Sequence, residues 1–144
     1  MKFKILYLFL ILFSHQSFSD DYLISEMEAL KTSLSKEDPD RLELTLRLAD
    51  LYFDVSIQES VGEDVIFKRE KALKLYKDAL FQRDGLPELS NERINIVKFQ
   101  VARVLNKLHR GDEARVYYQE VFDSKNVDQN MRREAAIALA EYYD

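Results

Sequence analysis

The stretch from Val101 to Phe122 constrains the fold of this chain more than any other. Ile94, Val97, Val101, Leu105 and Leu108 fall at i, i+3, i+7, i+11 and i+14. Ala114, Tyr117, Tyr118, Val121 and Phe122 fall at i, i+3, i+4, i+7 and i+8. Each set draws one apolar stripe on a helix of about 3.6 residues per turn, so the stretch predicts two amphipathic helices back to back. Gly111 stands at the break, where a residue with positive φ is expected. Asp112 follows as the expected N-cap, and Glu113 adds negative charge to the first turn.

The same residues resemble a tetratricopeptide repeat. That pattern runs Trp-x2-Leu-Gly-x2-Tyr on a first helix, then Ala-x3-Phe on a second, with Pro after it. Val101-Ala102 takes the Leu-Gly place, Leu105 the Tyr place, and Ala114-x3-Tyr118 the Ala-x3-Phe place. Lys98 stands at the Trp position and no Pro follows Phe122. Leu48-Ala49-x2-Tyr52 and Ala72-x3-Tyr76 repeat the two halves earlier in the chain, and Leu139-Ala140-x2-Tyr143 repeats the first half again. Ala49 and Ala72 are 23 residues apart, against 12 for Ala102 and Ala114. Either both helices lengthen together about a hinge at Gly62, or the extra residues form a loop. The resemblance implies an all-α fold: antiparallel helix pairs stacked as a short right-handed solenoid, about two and a half repeats over residues 38–144.

The beginning reads as a targeting segment. Lys2 and Lys4 precede the unbroken apolar run Ile5 to Phe13, and Ser17-Phe18-Ser19 offers small residues for cleavage after Ser19. Residues 1–19 are therefore expected to be a signal peptide, with the chain periplasmic or secreted and without a stable membrane anchor once cleaved. The chain has no Cys, so neither a disulfide nor a lipid-bearing anchor is expected. The net charge of −5 argues against nucleic acid as a partner.

Residues 20–37 predict an N-terminal helix with Leu23, Met27, Leu30 and Leu34 on one face, capped by Ser25 with Glu28 or by Asp20 or Asp21. Asp38-Pro39 restarts the chain as N-cap and first helical residue, followed by Leu44, Leu48, Leu51, Tyr52 and Val55. Asp84-Gly85-Leu86-Pro87 closes the long pair, and Ser90 begins the next helix. Asp128 caps a last helix bearing Met131, Ala135, Ala138, Leu139 and Tyr142.

The chain is poor in catalytic chemistry. Past the targeting segment it has one His, His109, placed for a helix C-terminus, and it lacks a phosphate loop and a nucleophile–base arrangement. No enzyme activity, metal or cofactor is expected. Tyr52, Tyr76, Tyr118 and Tyr143 sit at core spacing.

The expected function is to hold other proteins. In repeat solenoids the first helices line the concave binding side. The residues turned away from the apolar stripes there are Arg47, Asp50 and Asp54, then Phe99, Gln100, Arg103, Asn106 and Lys107, with Glu134, Ile137 and Glu141 on the last helix. Arg103, Asn106 and Lys107 suit a peptide backbone or carboxylate, and Phe99 is a large aromatic off the stripe. The favoured reading is an exported adaptor for a protein or peptide segment in an envelope-associated complex. The alternative is a structural or oligomerising module, or the front of a longer array, without a peptide ligand. The last helix, showing Ile137, Ala138 and Tyr143 on its free side, is the expected place for self-association.

Overall fold

The computed structural model describes residues 19–144, so most of the expected signal peptide lies outside the described residues. Among the described residues six α-helices follow one another: α1 (Asp20–Ser33), α2 (Asp40–Gln58), α3 (Glu63–Leu80), α4 (Asn91–Lys107), α5 (Gly111–Asp123) and α6 (Gln129–Tyr143), with a short 3₁₀ turn at Arg83–Gly85. Among the described residues there is no strand, and no helix is long and apolar enough to cross a membrane.

Each helix packs chiefly on its neighbours in the chain. Three pairs run antiparallel, as their cross-contacts show. Asp50 meets Tyr76 while Ser56 meets Arg69 across α2 and α3. Asn95 meets Ser124 while Phe99 meets Tyr118 across α4 and α5. Asp112 meets Tyr142 while Ser124 meets Arg132 across α5 and α6. The 23-residue spacing is therefore a hinge between two long helices. Gly62 itself has φ −171°, an extended conformation open to any residue.

One continuous core runs through the stack. Ala49, Ala72, Ala79, Ala102 and Ala135 are fully buried, and their small side chains let the helix axes approach closely. Leu48, Phe53, Tyr76, Val101 and Leu105 fill the space beside them. α2 buries more than its expected stripe, including Arg41, Thr45 and Ser56, because it lies between α1 and α3. The two hydroxyls donate back along the helix, Thr45 to the Arg41 carbonyl and Ser56 to the Phe53 carbonyl, both at 2.7 Å.

Local starts and stops follow side-chain chemistry, with two corrections. Asp38, Ser90 and Asp128 accept from the first free backbone N–H groups of α2, α4 and α6, as expected. α1 is capped by Ser19, whose hydroxyl accepts from Tyr22 N, and not by Ser25, Asp20 or Asp21; the two aspartates sit in the first turn. The residue with positive φ between α4 and α5 is His109 (58°), not Gly111. Arg110 N donates to the Leu105 carbonyl at 2.9 Å and His109 N to the Asn106 carbonyl at 3.0 Å, a Schellman closure with His109 in the left-handed place. Gly111 is the first residue of α5, with Asp112 beyond it in the first turn, so Asp112 is not the cap. Phe122, expected on the stripe, is exposed.

Two ionic straps join elements distant in sequence. Arg41 donates to the Leu34 carbonyl at 3.0 Å and to Asp84, tying the α1–α2 link to the turn after α3. That hydrogen bond holds the Asp84 carboxyl below the usual range. The Lys68 ammonium, buried in α3, meets Glu59 and Asp64 at 2.7 Å and Asp21 of α1 at 3.2 Å. Burial alone would lower its pKa, but the three carboxylates raise it.

Candidate functional site

Between α2, α4, α5 and α6 lies a cleft of about 190 Å³ lined by Phe53, Phe99, Arg103, Asn106, Lys107, Tyr118 and Glu134. Its floor is aromatic. Phe53 and Tyr118 are buried, and so is Phe99, which the sequence alone places on the outer face. Phe99 and Tyr118 meet edge to face, with ring centroids 5.9 Å apart. The aromatic off the stripe thus finds its neighbour inside the molecule and remains part of the cleft as floor.

Arg103 forms the side of the cleft. Its guanidinium lies 5.2 Å from the Phe53 ring centroid and donates to Gln100 Oε1 at 3.0 Å. Among the described residues no carboxylate lies within ion-pair distance of it, so most of its donors remain available. Asn106 and Lys107 stand exposed at the rim, one helical turn further along α4. The Tyr118 hydroxyl has no hydrogen-bond partner among the described residues, and burial pushes its pKa up to about 12, so it stays a neutral donor. Glu134 of α6 supplies the acidic edge.

Of the residues expected from the sequence, the cleft unites Phe99, Arg103, Asn106 and Lys107; Gln100 stands beside them through its bond to Arg103. Arg47, Asp50 and Asp54 do not line it. Arg47 pairs with Glu43 at 3.0 Å, and Glu43 also takes Arg93 at 2.8 Å, which together hold its carboxyl below the usual range. Asp50 accepts the hydroxyl of the buried Tyr76; burial raises its carboxyl pKa, and that hydrogen bond only partly opposes the rise. Asp54 is exposed on the next turn of α2. Sequence reasoning missed Tyr118 as a cleft residue because it sits at core spacing, and missed Phe53 because it lies beside the α2 stripe and was assigned to no face. Tyr143, at core spacing in the repeat pattern and on the free side of the last helix, is exposed and receives a hydrogen bond from Arg115 at 3.3 Å.

A larger groove of about 590 Å³ opens between α3, α4 and α5, with Leu80, Phe81, Ile94, Val116 and Tyr117 on its walls. Its charged residues are already engaged: Lys98 with Glu120 at 2.7 Å, and Glu113 with Arg110 at 2.7 Å. Its walls are mainly apolar, with the Tyr117 hydroxyl as a neutral donor, whereas the smaller cleft offers the Arg103 guanidinium on an aromatic floor. Among the described residues no group of three or more ligand side chains is placed to hold a metal ion. In comparisons with known proteins, no family model, no curated protein and no solved structure matches this chain.

Proposed function

We propose that the chain is an exported, tetratricopeptide-like adaptor whose α2–α4–α6 side holds a segment of another protein, in the periplasm or outside the cell, as part of an envelope-associated complex. Chain-order stacking of antiparallel helices, with Ala49, Ala72, Ala102 and Ala114 buried at pattern positions, supports the repeat reading; Ala140, at the same place in the last copy, is exposed. The observation that carries the function is Arg103, a guanidinium stacked on Phe53 at the mouth of an aromatic cleft, with no carboxylate within ion-pair distance among the described residues. A carboxylate or a backbone carbonyl entering there meets Arg103, the Tyr118 hydroxyl and the Asn106 amide together. The aromatic floor removes it from water, which strengthens each bond.

The test is capture of partners from envelope extract by the immobilised wild type and its Arg103→Glu variant. The expected result is a partner held by the wild type and lost from the variant, with unchanged circular dichroism. Equal capture by both forms would remove the cleft from the binding site.

A second reading rests on the last helix, where Ile137 and Tyr143 are exposed at 52% and 67%. In it, α6 is a contact between copies or with a further repeat. Sedimentation of the wild type and Tyr143→Asp tests this reading: a wild-type dimer that the variant abolishes supports it, and two monomers dismiss it.

A further inference from the structure

Arg69 of α3 is a buried cation whose charge meets only backbone. It is 8% exposed, and among the described residues no carboxylate lies within ion-pair distance of it. Its guanidinium donates instead to the Lys107 carbonyl at 2.9 Å and to the Ser56 carbonyl at 3.4 Å. Both acceptors belong to the last turn of a helix, Ser56 in α2 and Lys107 in α4. The last carbonyls of a helix have no partner within it and carry its negative partial charge. In α4 the turn that follows supplies most of the missing donors. Leu108 N reaches the Val104 carbonyl, Arg110 N the Leu105 carbonyl and His109 N the Asn106 carbonyl. The Lys107 carbonyl falls to Arg69. One guanidinium thus closes the ends of two helices, and a planar fork with donors on separate nitrogens suits two acceptors held apart.

The two helix ends are opposite walls of the Arg103 cleft. Phe53 lies one turn before Ser56, whose hydroxyl donates to the Phe53 carbonyl at 2.7 Å. Arg103 lies one turn before Lys107 on α4. α2 and α4 each pack on α3, and neither packs chiefly on the other, so direct helix contact does not set their spacing. Toward their N-terminal ends the exposed Arg93–Glu43 pair joins them at 2.8 Å. At the cleft the link is Arg69. We propose that Arg69 is a positioning residue for the cleft: it sets the separation of α2 and α4 at which the Arg103 guanidinium lies over Phe53. This rests on the reading of the cleft as a binding site. An apolar side chain of similar volume often serves stability as well as a buried charge does, so stability alone does not call for an arginine here.

The experiment is NMR of the full chain, following the side-chain protons of Arg103. Lying over the Phe53 ring, they are expected upfield of their open-chain positions. Arg69→Met keeps the bulk and removes the donors, and is expected to lose that upfield shift. The Asn95 side-chain amide, bonded to Ser124 at 2.9 Å toward the other end of α4, is expected to hold its position and so report an intact α4–α5 pair. Arg69→Lys keeps the charge without the fork and is expected to lose most of the shift as well. An unchanged Arg103 shift in a folded Arg69→Met overturns the proposal. The full shift in Arg69→Lys reduces Arg69 to a buried charge and overturns it too; that variant decides alone where Arg69→Met does not fold. The readout needs no partner, so it stands apart from the capture test. Loss of the shift in Arg69→Met, with the partner still held by Arg103→Glu, supports the positioning and removes the cleft as a binding site. Loss of the partner by Arg103→Glu, with the shift unchanged in Arg69→Met, overturns the positioning alone.

Discussion

Among the described residues, Tyr52 donates to the carboxylate of Glu28, Tyr76 to that of Asp50 and Tyr142 to that of Asp112. For the buried Tyr52 and Tyr76 the bond satisfies a hydroxyl that packing draws away from water, whereas Tyr142 is exposed. The Asp50 pair has a measurable signature. Its folded pKa lies above the ordinary 3.8, so its contribution is present below the unfolded pKa and is lost as pH rises through the folded value. Asp50→Asn keeps an acceptor for Tyr76 and removes the unfavourable charge. Its urea midpoint is expected to exceed the wild type near pH 7, with the difference gone near pH 3. Asp84 works in the opposite sense: its folded pKa is lowered by Arg41, so its stability is present above 3.8 and is lost as pH falls through the folded value. Asp84→Asn should be less stable than wild type at neutral pH and equal to it in strong acid.

At the scale of the element, much was legible in the sequence because caps and stripes are local. Asp38, Ser90 and Asp128 each precede a periodic apolar run, and each caps the helix that follows. The failures have identifiable physics. Ser19 was read as a cleavage residue, and nothing in its own type tells a cap from a processing site. Gly111 looked like the residue with positive φ because it is the glycine, yet the turn needs that conformation two residues earlier, at His109. Phe53, Phe99 and Tyr118 were legible as aromatics but not as one cleft, since three helices must meet to bring them together. His109→Gly should stabilise the α4–α5 pair by about 1 kcal/mol by removing the left-handed cost of a side chain. Gly111→Ala should be close to neutral, because the added Cβ meets Tyr142 at 3.7 Å, an ordinary contact. Ala114→Leu, in a site only 2% exposed, should overpack the same pair and cost about 1–3 kcal/mol in denaturant unfolding.

For the whole molecule, α1 is the element most dependent on a few polar contacts. Asp21 reaches Lys68, Glu28 receives Tyr52, and only Ile24 and Met27 are buried. Processing after Ser19 would remove the cap hydroxyl and leave a positive amino group at Asp20, where the helix dipole favours negative charge. The Lys68 knot would then carry more of the attachment. Mass spectrometry of the exported chain is expected to find Asp20 as its first residue, and Leu8→Arg, a charge in the apolar run, to block export. Lys68→Met should lower amide protection in α1 while α4 to α6 keep theirs. Chain-order packing has a kinetic and mechanical consequence as well. With nearly every helix resting on its sequence neighbours, the contact order is low, which favours fast folding through short loop closures. Under tension applied at the two ends, the stack should unzip helix by helix from its termini, until the Arg41–Asp84 strap makes α2 and α3 give way together as the final, largest step.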